Sequence, residues 1–420
     1  MAAPPTQSLV LTFEEARRVV EDHASRLSSG TTETVPLLHA SGRVLAEPIT
    51  ADRDIPPFPR STRDGYAVHA ADLATLPAGL KLIGEIKAGP QQLPSILHPG
   101  QAFSIMTGAP LPPGADAVVM VEYTSQRGDS VEIAKSVAQG ENFVAQGAEA
   151  KRGTLLLDRG MRFNQAAIAL AASVGRSRLQ VYVRPRVAVL TTGDEIVEVD
   201  AEIGPTQIRN SNSYSLAVQI QQAGGEPVLL PIAPDEPRRL RQLIEEGLHS
   251  DLLIMTGGVS MGRYDLVEQV LSELQAEFFF TGAKIQPGRP VVFGRIGSCG
   301  SGTLAPAKHK YFFGLPGNPL STMVTFELFA KPMLEALAGS SPSPLIFLHA
   351  RLKAEIRTKP GLKRFLPAIL SGQYEDSQVE LVPWQGSGDI AAQARSNCYI
   401  VIPPGREHFA AGDWVPVMLP

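Results

Sequence analysis

Between residues 186 and 338 the chain alternates short apolar runs with segments of helical period, and this limits the fold more than any other feature. PRVAVLTTGDE is a buried strand that ends in a polar loop, and NSNSYSLAVQIQQAGG is a helix with Asn and Ser capping candidates at its start and Gly224 at its stop. EPVLLPIA is a strand, and EPRRLRQLIEEGLHS a helix with Leu240, Leu243, Ile244 and Leu248 at helical spacing. DLLIMTGG, RPVVFGRI and KYFFGLPG are further strands, and YDLVEQVLSELQA and STMVTFELFAKPMLEALAG further helices. Strands separated by helices of this length make βαβ units, hence a parallel sheet covered on both faces. This α/β domain is expected over 180–339.

The flanks read differently. Residues 12–29 predict a helix: Thr12 caps it with Glu15 three positions on, and Phe13, Ala16, Val19, Val20 and Leu27 line one face. Residues 66–145 carry short β-like runs (LKLIGEI, QAFSIMTG, ADAVVMVEY, SVEIAK) separated by Gly, Pro and Asp. Residues 151–185 return to a turn, a helix and a strand. SSPSP at 340–344 is a linker by composition, and 345–420 is again strand-like. The expected class is α/β plus β. An N-terminal helical and linker domain (1–50 plus 146–179) carries an inserted β-rich module (51–145), and a C-terminal β-barrel (340–420) follows the α/β domain.

At 420 residues the chain is too long for one hydrophobic core. A formal charge of −4 lacks the basic excess of a nucleic-acid binder, so an anionic substrate must be held locally, by backbone N–H groups, placed cations or metals. Cys299 and Cys398 are too few for a disulfide framework or a cysteine metal site. The N-terminus lacks the apolar core of a signal peptide, and no apolar run approaches the ~20 residues that span a bilayer. These features point to the cytoplasm, without a membrane partner.

Ligands of an open parallel sheet bind beyond the carboxyl ends of its strands. LTTGDEI puts Thr191, Thr192 and Gly193 there, followed by Asp194 and Glu195. IMTGGVSMGRYD adds Gly257, Gly258, Ser260, Gly262 and Asp265. GLPGNPLS brings Pro316, Gly317, Asn318, Pro319 and Ser321 directly before a helix. Glycines let backbone N–H groups approach an oxyanion, Pro319 suits a first helical turn, and Asn318 or Ser321 can cap it. Any one such loop is an ordinary turn; three in one sheet, two of them bearing acids, point to a site. Asp194, Glu195, Asp235 and Asp265 all follow strands, and carboxylates beside an anion repel it unless a hard cation such as Mg²⁺ lies between. Glu236 reads better as a helix N-terminal acid.

The β-rich module carries RDIPPFPRSTRDGYAVHA and IMTGAPLPPGADAVVMVE. Asp64-Gly65 in the first and Thr107-Gly108 in the second fit ligand contacts or plain turns.

In chain order, PPFPRSTRDGYA, IMTGAPLPPGADAVVMVE, TTGDEI, NSNSY, MTGGVSMGRYD, PGRPVVFG, GLPGNPLS and SNCYIVIPPG strongly resemble the MoeA/gephyrin E-domain family, the molybdopterin molybdenumtransferases, over nearly the whole chain. The resemblance implies insertion of molybdate into adenylylated molybdopterin. The dithiolene takes up the metal, the phosphoanhydride is cleaved and AMP leaves. It also implies a requirement for Mg²⁺, an elongated homodimer whose site lies between the α/β domain and parts of the partner subunit, and a molybdopterin adenylyltransferase as supplier of substrate. Position by position it implies catalytic roles for Asp64, Thr107, Glu195, Asp235 and Asp265, and Mg²⁺ ligation by Asp194, Asp235 and Asp265. Substrate binding falls to Thr192, Gly193, Gly257, Gly258, Ser260, Pro316, Gly317, Asn318, Pro319, Ser321 and Arg364.

Some positions depart from the family pattern. Arg63 stands where family members usually carry Met, and Gln286 where they carry a lysine before a PGKP-like turn. Arg289 lies in that turn and is the candidate cation, because its planar fork suits an oxyanion. Two alternatives remain: a molybdopterin-binding or scaffold homologue without turnover, and a relative of the CinA-type nucleotide pyrophosphatases, which share the TTGDE/TGG domain. The PPFPRSTRDGYA stretch and the β-rich tail argue against the second.

Overall fold

The computed structural model describes residues 9–27, 30–89, 95–258, 266–297 and 309–420; Ser260, Gly262 and Asp265 lie outside them. The central sheet is built from strands β1 (Arg186–Thr191), β2 (Glu226–Leu229), β3 (Leu252–Thr256), β4 (Glu277–Phe280), β5 (Val292–Ile296) and β6 (Lys310–Leu315), in the spatial order β2-β1-β3-β6-β5-β4. Helices α1 (Asn212–Gln222), α2 (Pro237–Gly247), α3 (Leu266–Glu273) and α4 (Pro319–Thr325) cover it. Successive strand side chains point to opposite faces. In β1, Val187 and Val189 join a core with Leu216, Ile220 and Leu320, while Ala188 and Leu190 join another with Leu240, Ile244 and Val270.

Strands β2, β1, β3 and β6 are parallel, as the βαβ pattern predicts. The far edge corrects the expectation of a wholly parallel sheet, because β5 runs antiparallel to both β6 and β4. A parallel crossover is usually made by a helix; the connection from Phe280 to Val292 contains none, only the short pairings Gly282–Ala283 and Ile285–Gln286.

The helix Phe13–Ala24 carries the expected capping box between Thr12 and Glu15, and it stops at Ala24, short of residue 29. Its buried face enters the α/β core beside Phe329 and reaches Phe365 of the C-terminal region, and none of its residues joins the hydrophobic core of 146–179. The core of that second region forms instead around Leu45, Ile49, Leu157, Phe163 and Leu179.

After α4 the chain departs from one continuous helix, making a π-turn over Phe326–Ala330 before the helix Lys331–Leu337. Pro332 has no N–H to return to the carbonyl of Leu328. The Arg17 guanidinium takes its place, with Nη1 donating to Leu328 O at 2.7 Å.

The inserted module is a six-stranded sheet that includes Gly65–Val68, Gln101–Ile105 and Ala117–Met120. In the C-terminal region Lys363–Gln373 pairs with Asp376–Leu381, which pairs with Phe347–Leu352, then Trp414–Met418, then Cys398–Ile402. That last strand pairs back with Lys363–Gln373, closing a five-stranded barrel. Among the described residues no helix is long and apolar enough to cross a membrane.

Candidate active site

Beyond the carboxyl ends of β1, β3 and β6 lies a cavity of about 770 Å³. Thr192, Gly193, Glu195, Asp235, Gly257 and Gly258 line it, as do Pro316, Gly317, Asn318 and Pro319. The pairing of β1 with its neighbours runs on into the loops: Thr192 N donates to Thr256 O at 3.0 Å and Gly193 N to Ala233 O at 3.2 Å. This carries the Asp235 loop alongside the TTGDE loop.

The glycines are required by contact as well as by conformation. Gly257 and Gly258 sit at φ +87° and +61°, where a side chain is strained. A Cβ on Gly257 would lie 2.3 Å from Thr192 O. The two loops are therefore pressed together, backbone on backbone, beside the cavity.

Acids of two adjoining loops lie at one side. Asp235 N donates to Asp194 Oδ1 at 3.0 Å, and Glu195 and Asp235 both line the cavity. The Asp235 carboxyl is pushed above the usual aspartate range, first by burial and then by the charges of Asp194 and Glu195.

The loop after β6 is held by a network that capping arguments did not anticipate. Asn318 occupies the cap position of α4, but its side chain makes no cap bond and donates instead to Ser387 Oγ at 2.8 Å. Ser321 is buried rather than in the cavity wall, and its carbonyl accepts from Thr325 Oγ1. Asn212, expected only as a cap, donates from Nδ2 to Thr256 Oγ1 at 3.0 Å and to Gly317 O at 2.8 Å. It clasps the end of β3 to the PGNP loop. Asn210, Arg209 and Gly388 also line the cavity and were not expected there. The NSNSY stretch held the signal for Asn210 and Asn212; Gly388 comes from the C-terminal region, which no strand pattern connects to this edge.

Other expected residues gather elsewhere. Asp64 and Thr107 meet in the inserted module, where Thr107 N donates to Asp64 Oδ1 at 2.6 Å; neither lines the cavity. Gly65 opens a strand there instead of making a turn, and a Cβ on it would fall 1.8 Å from Val119 O, so no side chain fits. Arg289 is exposed and outside the cavity wall, while its neighbour Pro290 lines it. Gln286 and Arg364 stand opposite each other where Ile285–Gln286 adds in parallel to the barrel strand. Arg364 is buried, one Nη2 donates to Lys359 O, and its Nε has no partner among the described residues. Burial pushes the proton affinity of this guanidinium down.

Comparison with known proteins follows these divisions. Family models match residues 11–175 (MoeA N-terminal region, domain I and II), 188–336 (Probable molybdopterin binding domain) and 349–419 (MoeA C-terminal region, domain IV). A molybdopterin molybdenumtransferase from Nostoc sp. is 34% identical over 400 residues, covering 93% of this chain and 89% of that protein. The chain belongs to the MoeA family. A second relative of that name, from Bacillus subtilis, is 33% identical and covers 93% of this chain and 90% of its own length. The crystal structure of a MoeA protein from Pyrococcus horikosii superposes with a TM-score of 0.71 at 33% identity, covering 98% of this chain and 99% of that one. The MoeA family models thus extend through the N-terminal and C-terminal regions that flank the probable molybdopterin binding domain.

Proposed function

We propose that this MoeA-family chain is a molybdopterin molybdenumtransferase of the cytoplasm, which inserts molybdate into adenylylated molybdopterin and releases AMP. The observation that carries the reading is the meeting of the Gly257-Gly258 and Pro316–Pro319 loops with Glu195 and Asp235 at one cavity, with Asp194 accepting from the Asp235 N–H. Bare amides suit a pyrophosphate, and acids beside it suit the cation that accompanies one.

The acids fit Mg²⁺. The raised proton affinity of Asp235 reports charge that its neighbours and its burial disfavour, which a hard cation relieves. No three metal-binding side chains converge among the described residues. Mg²⁺ is commonly held by one or two carboxylates with waters and phosphate oxygens completing its shell. Asp194 and Asp235 would hold it, with Asp265 as a third from outside the described residues. Bound there, it would neutralise the pyrophosphate.

The chain's own residues act by binding and orientation. The glycine loops fix the phosphates, Asn212 and Thr256 hold those loops in register, and Asn318 ties them to Ser387. Arg364, buried without an acidic partner among the described residues, and the exposed Arg289 supply charge for molybdate; the two dithiolene sulfurs replace molybdate oxygens, which leave as water, while water adds to the phosphoanhydride phosphorus and AMP leaves. Asp64 and Thr107, paired in the inserted module, complete the site of the other subunit in a homodimer. A molybdopterin adenylyltransferase supplies the substrate. Incubation with adenylylated molybdopterin, molybdate and Mg²⁺ tests the activity: AMP must appear above the protein-free blank, and its absence rejects the reading. Molybdopterin binding without AMP release would favour a scaffold role instead.

A further inference from the structure

Two side chains of the cavity wall each carry a polar atom without a hydrogen-bond partner among the described residues. Thr192 is 3% exposed and its Oγ1 has no partner among the described residues; Asn212 is 7% exposed and its Oδ1 has none. Buried polar atoms are ordinarily paired, so orphans on two residues that line one cavity point to a ligand group that would pair them. Asn212 cannot turn its amide to escape this. Thr256 Oγ1 donates its proton to Pro316 O at 3.0 Å and therefore accepts from Asn212 Nδ2, while Gly317 O accepts from the same nitrogen. A flipped amide would set its oxygen against the Gly317 carbonyl. Oδ1 is thus fixed as an acceptor.

A carboxamide oxygen repels phosphate and molybdate oxygens, so Asn212 Oδ1 serves a different part of the ligand from the bare amides of the glycine loops; the Thr192 hydroxyl, which packs against Gly258, can accept as well as donate. We propose that Asn212 Oδ1 and Thr192 Oγ1 form a subsite that reads the N–H edge of a ligand heterocycle. The inference rests on the proposed activity and deepens it. Both rings of adenylylated molybdopterin present such an edge: the pterin through its ring N–H and amino groups, the adenine through its amino group.

Thr192→Val is the discriminating variant, because the hydroxyl has no bond within the described protein to lose. Calorimetric titration of the full chain with unsubstituted pterin, AMP and inorganic pyrophosphate, alongside the thermal midpoint, reads the effect. The expected result is an unchanged or higher midpoint, an unchanged Kd for pyrophosphate, and a Kd about fivefold to tenfold weaker for the ring that occupies the subsite. The probe that moves names the ring. Asn212→Ala should weaken the same probe and also lower the midpoint, since the clasp to Thr256 and Gly317 goes with it. Wild type that binds neither ring, ring affinities unchanged in Thr192→Val, an equal loss for pyrophosphate, or a lowered midpoint in Thr192→Val would each overturn the subsite. If wild type meanwhile releases AMP from adenylylated molybdopterin, only the subsite fails; if it does not, the proposed activity fails.

Discussion

The backbone N–H of Asp235 donates to Oδ1 of Asp194 at 3.0 Å, which fixes two strand-end acids beside each other with Glu195 close enough to raise the Asp235 carboxyl. A carboxyl raised in the folded state contributes stability that is present below the ordinary aspartate value and is lost as pH rises through the raised one. At neutral pH the ionised Asp235 is therefore a cost that the fold carries for its site. Asp235→Asn should abolish AMP release while keeping or raising the thermal midpoint at neutral pH. Mg²⁺ with pyrophosphate should raise the midpoint of wild type and leave that of the variant unmoved. Thermal scans from mildly acid to neutral pH check both halves; a variant less stable than wild type at neutral pH would contradict the charge argument.

Arg364 is a buried guanidinium with no acid among the described residues against it, opposite Gln286 at the seam between the central domain and the barrel. Burying an unpaired charge costs a fold unless a counter-ion arrives. Arg364→Met, of comparable length, should leave unfolding free energy within about 1 kcal/mol of wild type while weakening molybdate binding more than tenfold. Denaturant unfolding and molybdate titration separate the two effects. A large stability loss with unchanged molybdate affinity would make Arg364 structural.

Gly257 and Gly317 lie in adjoining loops and should respond differently to alanine. A Cβ on Gly257 would meet Thr192 O at 2.3 Å from a residue at φ +87°, whereas one on Gly317 would meet Gly257 Cα at an ordinary 3.4 Å. Gly257→Ala should cost about 2–4 kcal/mol, from clash and backbone strain together. Gly317→Ala should cost under about 1 kcal/mol. Urea unfolding of the two variants checks the order.

Asp64 and Thr107 pair with each other away from the cavity wall. If they complete the site of the partner subunit, two inactive variants should rescue one another. Asp64→Ala and Asp235→Ala, each inactive alone, should recover AMP release when co-expressed, because some dimers then hold one intact site. Mixtures no more active than either parent would place Asp64 outside the reaction.

Much of this was legible in the chain because it is local. The alternation that predicts the α/β domain, the Thr12–Glu15 capping box and the glycines at the strand ends are matters of neighbouring residues. What the sequence left hidden depends on partners far away in the chain. Asn212 reads as a helix cap, yet its amide clasps Thr256 and Gly317. Asn318 sits at a cap position, but Ser387 takes its side chain. The helix Phe13–Ala24 shows its apolar face plainly but not which core receives it, and the barrel closes through a pairing of Lys363–Gln373 with Cys398–Ile402 that no periodicity encodes.

The most direct measurement is AMP release from adenylylated molybdopterin by purified wild type and Asp235→Asn, with molybdate and Mg²⁺ each present or withheld. This mechanism requires release by wild type only when both are present, and none from the variant under any condition. Equal release by the two proteins, or release by wild type that ignores molybdate, would contradict it.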